Sequence, residues 1–294
     1  MRFFRSIAVL LAASGLLVGC AEDPPPSPSP LVVSFDDGWG QVFVVNSDGT
    51  GLRQVTPTVA DDMSDGNYVN DAVVSPDGTQ LVYSVRDGLV VQDLESGERR
   101  TLHGSGGQPE FSPDGSAIAF KDGESVRVMN SDGSDVREVT KDEAAYATSF
   151  SPDGSKILFD VSGYILEVPT AGGEPKVVLR DQFWNADPVM SPDGSTLVFA
   201  SNRGGNNGSE IYSMPVGGGE ITQLTTTYAV HPEFTPDGSR IFYSRATTQS
   251  GELVTDISLS TRAELASMKP DGSDQRRLTP RSITGQHPSV GGGQ

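Results

Sequence analysis

Beyond residue 30 the chain alternates short β-branched or aromatic runs with clusters of turn residues. Leu81-Val82-Tyr83, Ile118-Ala119-Phe120, Ile157-Leu158-Phe159, Leu197-Val198-Phe199 and Ile241-Phe242-Tyr243 are such runs, and runs bounded in this way are strands. Each follows a copy of one tetrapeptide. It reads Ser-Pro-Asp-Gly at Ser75–Gly78, Ser112–Gly115, Ser151–Gly154 and Ser191–Gly194, with a variant at Thr235–Gly238, in steps of 37, 39, 40 and 44 residues. Pro presets φ at the first corner and Gly takes the left-handed position, so the tetrapeptide is a hairpin turn. A second turn signal closes each unit, from Asn46-Ser47-Asp48-Gly49 to Pro270-Asp271-Gly272, with strands such as Val42–Val45, Val126–Met129 and Ile211–Met214 before it. Four strands and two tight hairpins in about 40 residues make a propeller blade.

The second signal occurs six times and the first only five. The first unit opens directly at Leu31-Val32-Val33-Ser34, which matches the second strand of the others, so its innermost strand is missing. At the far end His287-Pro288-Ser289-Val290 matches the first strand of a unit, His231-Pro232-Glu233-Phe234, with nothing after it. The expected fold is therefore all-β: a six-bladed propeller of four-stranded blades over residues 31–294, its ring closed by the C-terminal strand, which protects an otherwise open edge.

The segment before the repeats has a different composition. Residues 1–19 combine Arg2 and Arg5, the apolar run Ile7–Val18 and small residues at its end, the layout of a signal peptide too short to span a bilayer comfortably. The ending Leu17-Val18-Gly19-Cys20 resembles the bacterial lipobox, which implies lipidation of Cys20, the chain's single cysteine, and an extracytoplasmic, lipid-anchored protein. Residues 20–30 then form a Pro/Ser linker, which favours extended polyproline II and would hold the folded part about 20 Å off the membrane.

The formal net charge of -18, from 39 acidic and 21 basic residues, argues against nucleic acid, whose phosphates need Lys and Arg. It also argues against direct adsorption to anionic lipid, leaving the lipid anchor as the membrane contact. No Gly-x-Ser-x-Gly elbow occurs, so that class of hydrolase lacks its nucleophile turn. The acidic stretch Asp61–Asp65 is a poor calcium loop because Met63 stands where an oxygen ligand is wanted.

Units of the form Pro-x-Phe-Ser-Pro-Asp-Gly, strand, Ile-Tyr-x-Met, Asp-Gly and Leu-Thr resemble the repeats of the TolB-type propellers. Asp187–Thr225, with Ile211-Tyr212-Ser213-Met214, is the closest unit, and the likeness covers nearly all of Leu31–Val290. The resemblance implies the fold and a scaffold that binds a protein partner. It also admits metal-assisted sugar lyases that hold a metal with channel histidines, or a small-ligand sensor. The repeated residues themselves are turn and core residues, so function has to be argued from the site.

In this topology the Asp-Gly hairpins share one face, and the second-to-third-strand loops and blade links share the other. Variable loops on a rigid scaffold are where binding concentrates. That second face is expected to carry Phe183, Trp184, Tyr146, Tyr228, Arg203 and Arg245, with Asp61–Asp65 and Tyr68, and Trp, Tyr and Arg anchors dominate interface energy. Packing of Phe183 and Trp184 between blades is the competing expectation. Aligning the units puts His287, Asp71, Gln108, Ala147, Asp187 and His231 at the mouth of the central channel, with Asp187, His231, His287 and Asp71 on consecutive blades. Two His and two Asp converging there could hold a divalent metal or a small ligand. The simpler expectation is that each caps its own strand by local hydrogen bonds, with no cofactor.

Overall fold

The structure, a computed structural model, describes residues 31–56, 69–141, 146–260 and 262–292. Cys20 and the linker, Asp61–Asp65 and Tyr68 lie outside the described residues. The described residues form six separate four-stranded antiparallel sheets, each one a blade. The inner strands, in blade order, are Gln286–Gly291, Asn70–Val74, Gly107–Phe111, Tyr146–Phe150, Asn185–Met190 and Ala229–Phe234.

The ring closes as the repeat count requires. The first blade is built from Gln286–Gly291, Val32–Asp36, Val42–Asn46 and Arg53–Gln54, with Val33 opposite Val290 and Ser34 opposite Ser289. Ser289 reaches onward to the second blade, where its Oγ accepts the Val74 N–H at 3.2 Å.

The tetrapeptide turns act as the sequence chemistry dictates. In Ser75-Pro76-Asp77-Gly78 the Ser75 hydroxyl donates to Asp77 at 2.6 Å, and its oxygen accepts the Gln80 N–H at 2.9 Å. The Gly78 N–H bonds Ser75 O at 2.8 Å, with Gly78 at φ +74°. The same bonds recur at Ser112, Ser151, Ser191 and Thr235. Each turn feeds a second strand whose aromatic residue is fully buried between blades, Tyr83, Phe120, Phe159, Phe199 and Tyr243, and Phe35 takes the same place in the first blade, where the chain's two ends meet instead. Burying one such ring contributes roughly 2–3 kcal/mol, so this position repeats the main packing contribution once per blade.

Candidate functional site

Every inner strand begins with a distortion. Its pairing register shifts near the third residue, between Asn70 and Val73, Gly107 and Glu110, Tyr146 and Ser149, Ala186 and Val189, and Val230 and Glu233 in blades two to six. Asp71, Gln108, Asp187, His231 and His287 sit in these bulges with φ between +50° and +53°. A non-glycine residue in that left-handed region costs about 1–2 kcal/mol, and a bulge turns a side chain away from the regular sheet. The bulge thus aims the aligned residues at the channel axis, where they line a cavity of about 150 Å³ with Thr148.

The strain is offset by bonds that run from blade to blade. Asp71 Oδ2 accepts the Gln108 N–H at 3.3 Å, and Asp160 Oδ1 accepts the Asp187 N–H at 3.3 Å. Asp187 Oδ2 accepts the His231 N–H at 3.0 Å, and Ser244 Oγ accepts the His287 N–H at 3.1 Å. The expectation of local strand caps is corrected here: the acceptors serve the next blade, because the bulge points each N–H sideways across the ring.

Two carboxylates beside the mouth, one of them among these acceptors, were missed in the sequence. Asp36 and Asp160 occupy one repeat position, the residue after the buried aromatic, where the other blades carry Ser84, Lys121, Ala200 and Ser244. Asp36 is buried and bonds His287 Nδ1 at 2.7 Å. Burial opposes protonation of His287, but that bond and the negative charges of Asp36, Asp71 and Asp187 outweigh it and raise its pKa. His231, its ring centroid 4.1 Å from that of His287, is pushed down to about 4, first by burial. Burial and the neighbouring Asp187 push the Asp160 carboxyl up to about 8, and burial raises Asp71 as well.

Deeper in, the channel narrows at a ring containing Glu110, Ser149, Val189, Glu233 and Ser289, which borders both the mouth cavity and a second cavity of about 340 Å³ at the hairpin end. Glu110 and Glu233 come from opposite blades of the six, and burial holds both carboxyls well above their ordinary range, Glu233 at about 8. These glutamates are the middle residue of Pro-x-Phe, a position masked in the sequence by its conspicuous neighbours.

The four mouth residues are engaged with their surroundings to different degrees. His287 Nδ1 is taken by Asp36, both aspartates hold backbone amides, and His231 Nε2 is 3.8 Å from Asp187. Among the described residues no group of three or more His, Cys, Asp and Glu is placed to hold a metal ion.

The loops around the mouth carry apolar surface. Seven large apolar side chains are exposed among the described residues, and six of them are on this face: Trp39, Tyr146, Trp184, Leu253, Ile257 and Leu259. Trp39 is the most exposed at 72%, against 53% for Trp184. Leu253, Ile257 and Leu259 belong to the blade-six insertion, which is knitted to blade five through Asn207, whose side chain bonds Asp256 at 2.8 Å. Phe183 and Tyr228 are half-buried, Phe183 under the Arg203 guanidinium and Tyr228 against Gly208.

Arg203 and Arg245 do not present free guanidinium groups. Arg203 bonds Asp181, Asn185 and Ser201, and lies over the Phe199 and Tyr212 rings. Arg245 pairs with the buried Glu264 at 3.2 Å. Arg245 thus ties two neighbouring strands of blade six, and Arg203 ties the start of blade five to the link before it.

A closed six-bladed ring of four-stranded antiparallel blades, with a polar funnel and an apolar rim on its loop face, is a β-propeller by architecture. Residues 73–277, well over half of the chain, match the PD40 family model, TolB beta propeller domain, and the chain belongs to that family. A protein TolB homolog of Chlorobium luteolum is 27% identical over 118 residues, 29% of this chain and 27% of that protein. The uncharacterized peptidase YuxL of Bacillus subtilis is 36% identical over 95 residues, 32% of this chain and 14% of the relative. The chain thus spans about a quarter or less of the length of these curated relatives. The crystal structure of TolB from Acinetobacter baumannii superposes with a TM-score of 0.70 at 20% identity, over 90% of this chain and 67% of that one, a likeness of fold.

Proposed function

We propose that this chain is a non-catalytic, lipid-anchored propeller outside the cytoplasm that binds a protein partner with its loop face. The observation that carries this reading is the segregation of exposed apolar side chains: six of seven lie on the loops around the channel mouth. Exposed apolar surface gathered in one place marks an interaction site, and Trp and Tyr are favoured anchors. At the mouth Asp187 holds the His231 backbone N–H of the next blade and His287 Nδ1 is bonded to Asp36 in its own blade, structural roles that favour binding over catalysis.

The position of Leu31 supports the anchored orientation. It leads into Val32, which pairs with Gly291 at the hairpin end of the first blade, and its carbonyl accepts the Ser47 N–H at 2.9 Å. A tether from Cys20 therefore joins the face opposite the mouth, leaving the loop face turned away from the membrane.

The test is co-purification from detergent-solubilised membranes. A discrete protein should accompany the wild type and be lost with Trp39→Ala combined with Trp184→Ala, at unchanged melting temperature. Retention of the same protein by the double variant would refute the assignment of this face. Cys20→Ser should release the protein from membranes or leave its leader uncleaved.

A further inference from the structure

The channel mouth is rich in acceptors and short of donors. Asp71 and Asp187 line it, and two further atoms there are buried without a hydrogen-bond partner, Gln108 Oε1 and His231 Nδ1. His231 Nε2 lies 3.8 Å from Asp187 Oδ2, a neighbour that favours the neutral tautomer with its proton on Nε2, in which Nδ1 is an acceptor. Buried acceptors are normally satisfied, so this set is matched to a group that brings several donors.

The chain's own cations do not supply them. Lys121 Nζ lies over the Tyr146 ring at 3.8 Å, Arg245 is tied to Glu264, Arg203 is tied to Asp181, and His287 is tied to Asp36. The cavity of about 150 Å³ is the size of a side-chain head group, and it opens at the centre of the apolar rim.

We propose that the channel mouth is a receptor for one cationic side chain, an arginine or lysine, projecting from the protein partner into the funnel between Asp71, Asp187 and His231. This rests on the partner-binding reading and names the chemistry of its centre. A guanidinium offers five N–H donors in a planar fork, suited to two carboxylates and an imidazole nitrogen. Arg is also among the residues that dominate interfaces when seated centrally and ringed by apolar contacts. The net charge of -18 would steer a basic partner surface toward this chain. The carboxyls of Asp160 and Glu233, raised to about 8, would release protons as the cation enters.

The test uses N-acetyl-arginine N-methylamide and its neutral near-isostere, N-acetyl-citrulline N-methylamide, titrated into the full chain while the His231 and His287 ring protons are followed by NMR. The arginine probe should saturate with a Kd on the order of millimolar, and the citrulline probe should bind at least about tenfold more weakly. Asp187→Asn, which keeps an acceptor for the His231 N–H, and Asp71→Asn should each weaken arginine binding about tenfold, worth about 1.4 kcal/mol. Equal responses to the two probes would overturn the proposal, as would unchanged binding in both variants. Spermidine binding some hundredfold tighter than the arginine probe would assign the funnel to a free polyamine and also overturn it. A chain that captures a partner through Trp39 and Trp184 but ignores the arginine probe would defeat this inference alone. A chain that takes the probe but holds no protein would defeat the partner reading.

Discussion

Asp187 Oδ2 accepts the backbone N–H of His231 at 3.0 Å, joining blade five to blade six across the channel mouth. Both residues stand in the left-handed region, at φ +51° and +53°, and both follow the same bulge. The strain at one position is thus relieved by the side chain of its counterpart one blade back.

Asp187→Ala should cost about 1–3 kcal/mol in urea denaturation, because it leaves the His231 N–H without its acceptor. Asp187→Asn should recover most of that loss. Equal destabilisation by both variants would mean that the charge, and not the hydrogen bond, joins the blades.

Asp160 makes stability depend on pH in a defined sense. Its carboxyl is 2% exposed, and burial with the nearby Asp187 raises it to about 8, against a smaller opposing pull from Lys121. The folded chain keeps this proton between roughly pH 4 and pH 8 while the unfolded chain gives it up, so stability falls as pH rises through that window. The limiting slope is about 1.4 kcal/mol per pH unit for one carboxyl. Asp160→Asn keeps the acceptor for the Asp187 N–H and should gain on the wild type as pH rises from 4 to 8. A constant difference between the two proteins across that range would contradict the assignment.

The repeat made the blade count, the ring closure and the convergence of Asp71, Asp187, His231 and His287 legible, because each follows from a residue's offset to a turn that recurs at nearly constant spacing. The role of those four was less legible. Offsets report position along a strand, whereas the bulge that turns each N–H toward the next blade is a three-dimensional event with no residue signature of its own. Asp160 could have been found by extending the same alignment one strand further, but Asp36 follows no such turn because the first blade is closed by the chain's two ends. The ion pairs of Arg203 and Arg245 were not legible either, because their partners Asp181 and Glu264 lie 22 and 19 residues away.

Removing the residues from His287 onward takes away nearly all of the inner strand that pairs with Val32–Asp36. It also removes Ser289 from the Val74 N–H. The loss should be about 5 kcal/mol or more, comparable to the whole stability of many domains. An unchanged melting temperature would contradict closure by this strand.

Metal removal should have no effect. After dialysis the chain should carry far less than one equivalent of zinc, manganese or calcium, and chelator should leave its melting temperature unmoved, since metal binding would appear as stability. About one equivalent retained by the wild type, and lost with His231→Ala and His287→Ala together, would reverse this expectation.

The central claim is that the loop face, and not the hairpin face, meets the partner. Photo-crosslinking on membranes tests it directly, with a photoreactive residue placed either at Trp184, on the rim of the mouth, or at Glu95, in an exposed hairpin on the opposite face. The account predicts one discrete protein adduct from position 184 and none from position 95; an adduct from 95 with none from 184 would contradict it.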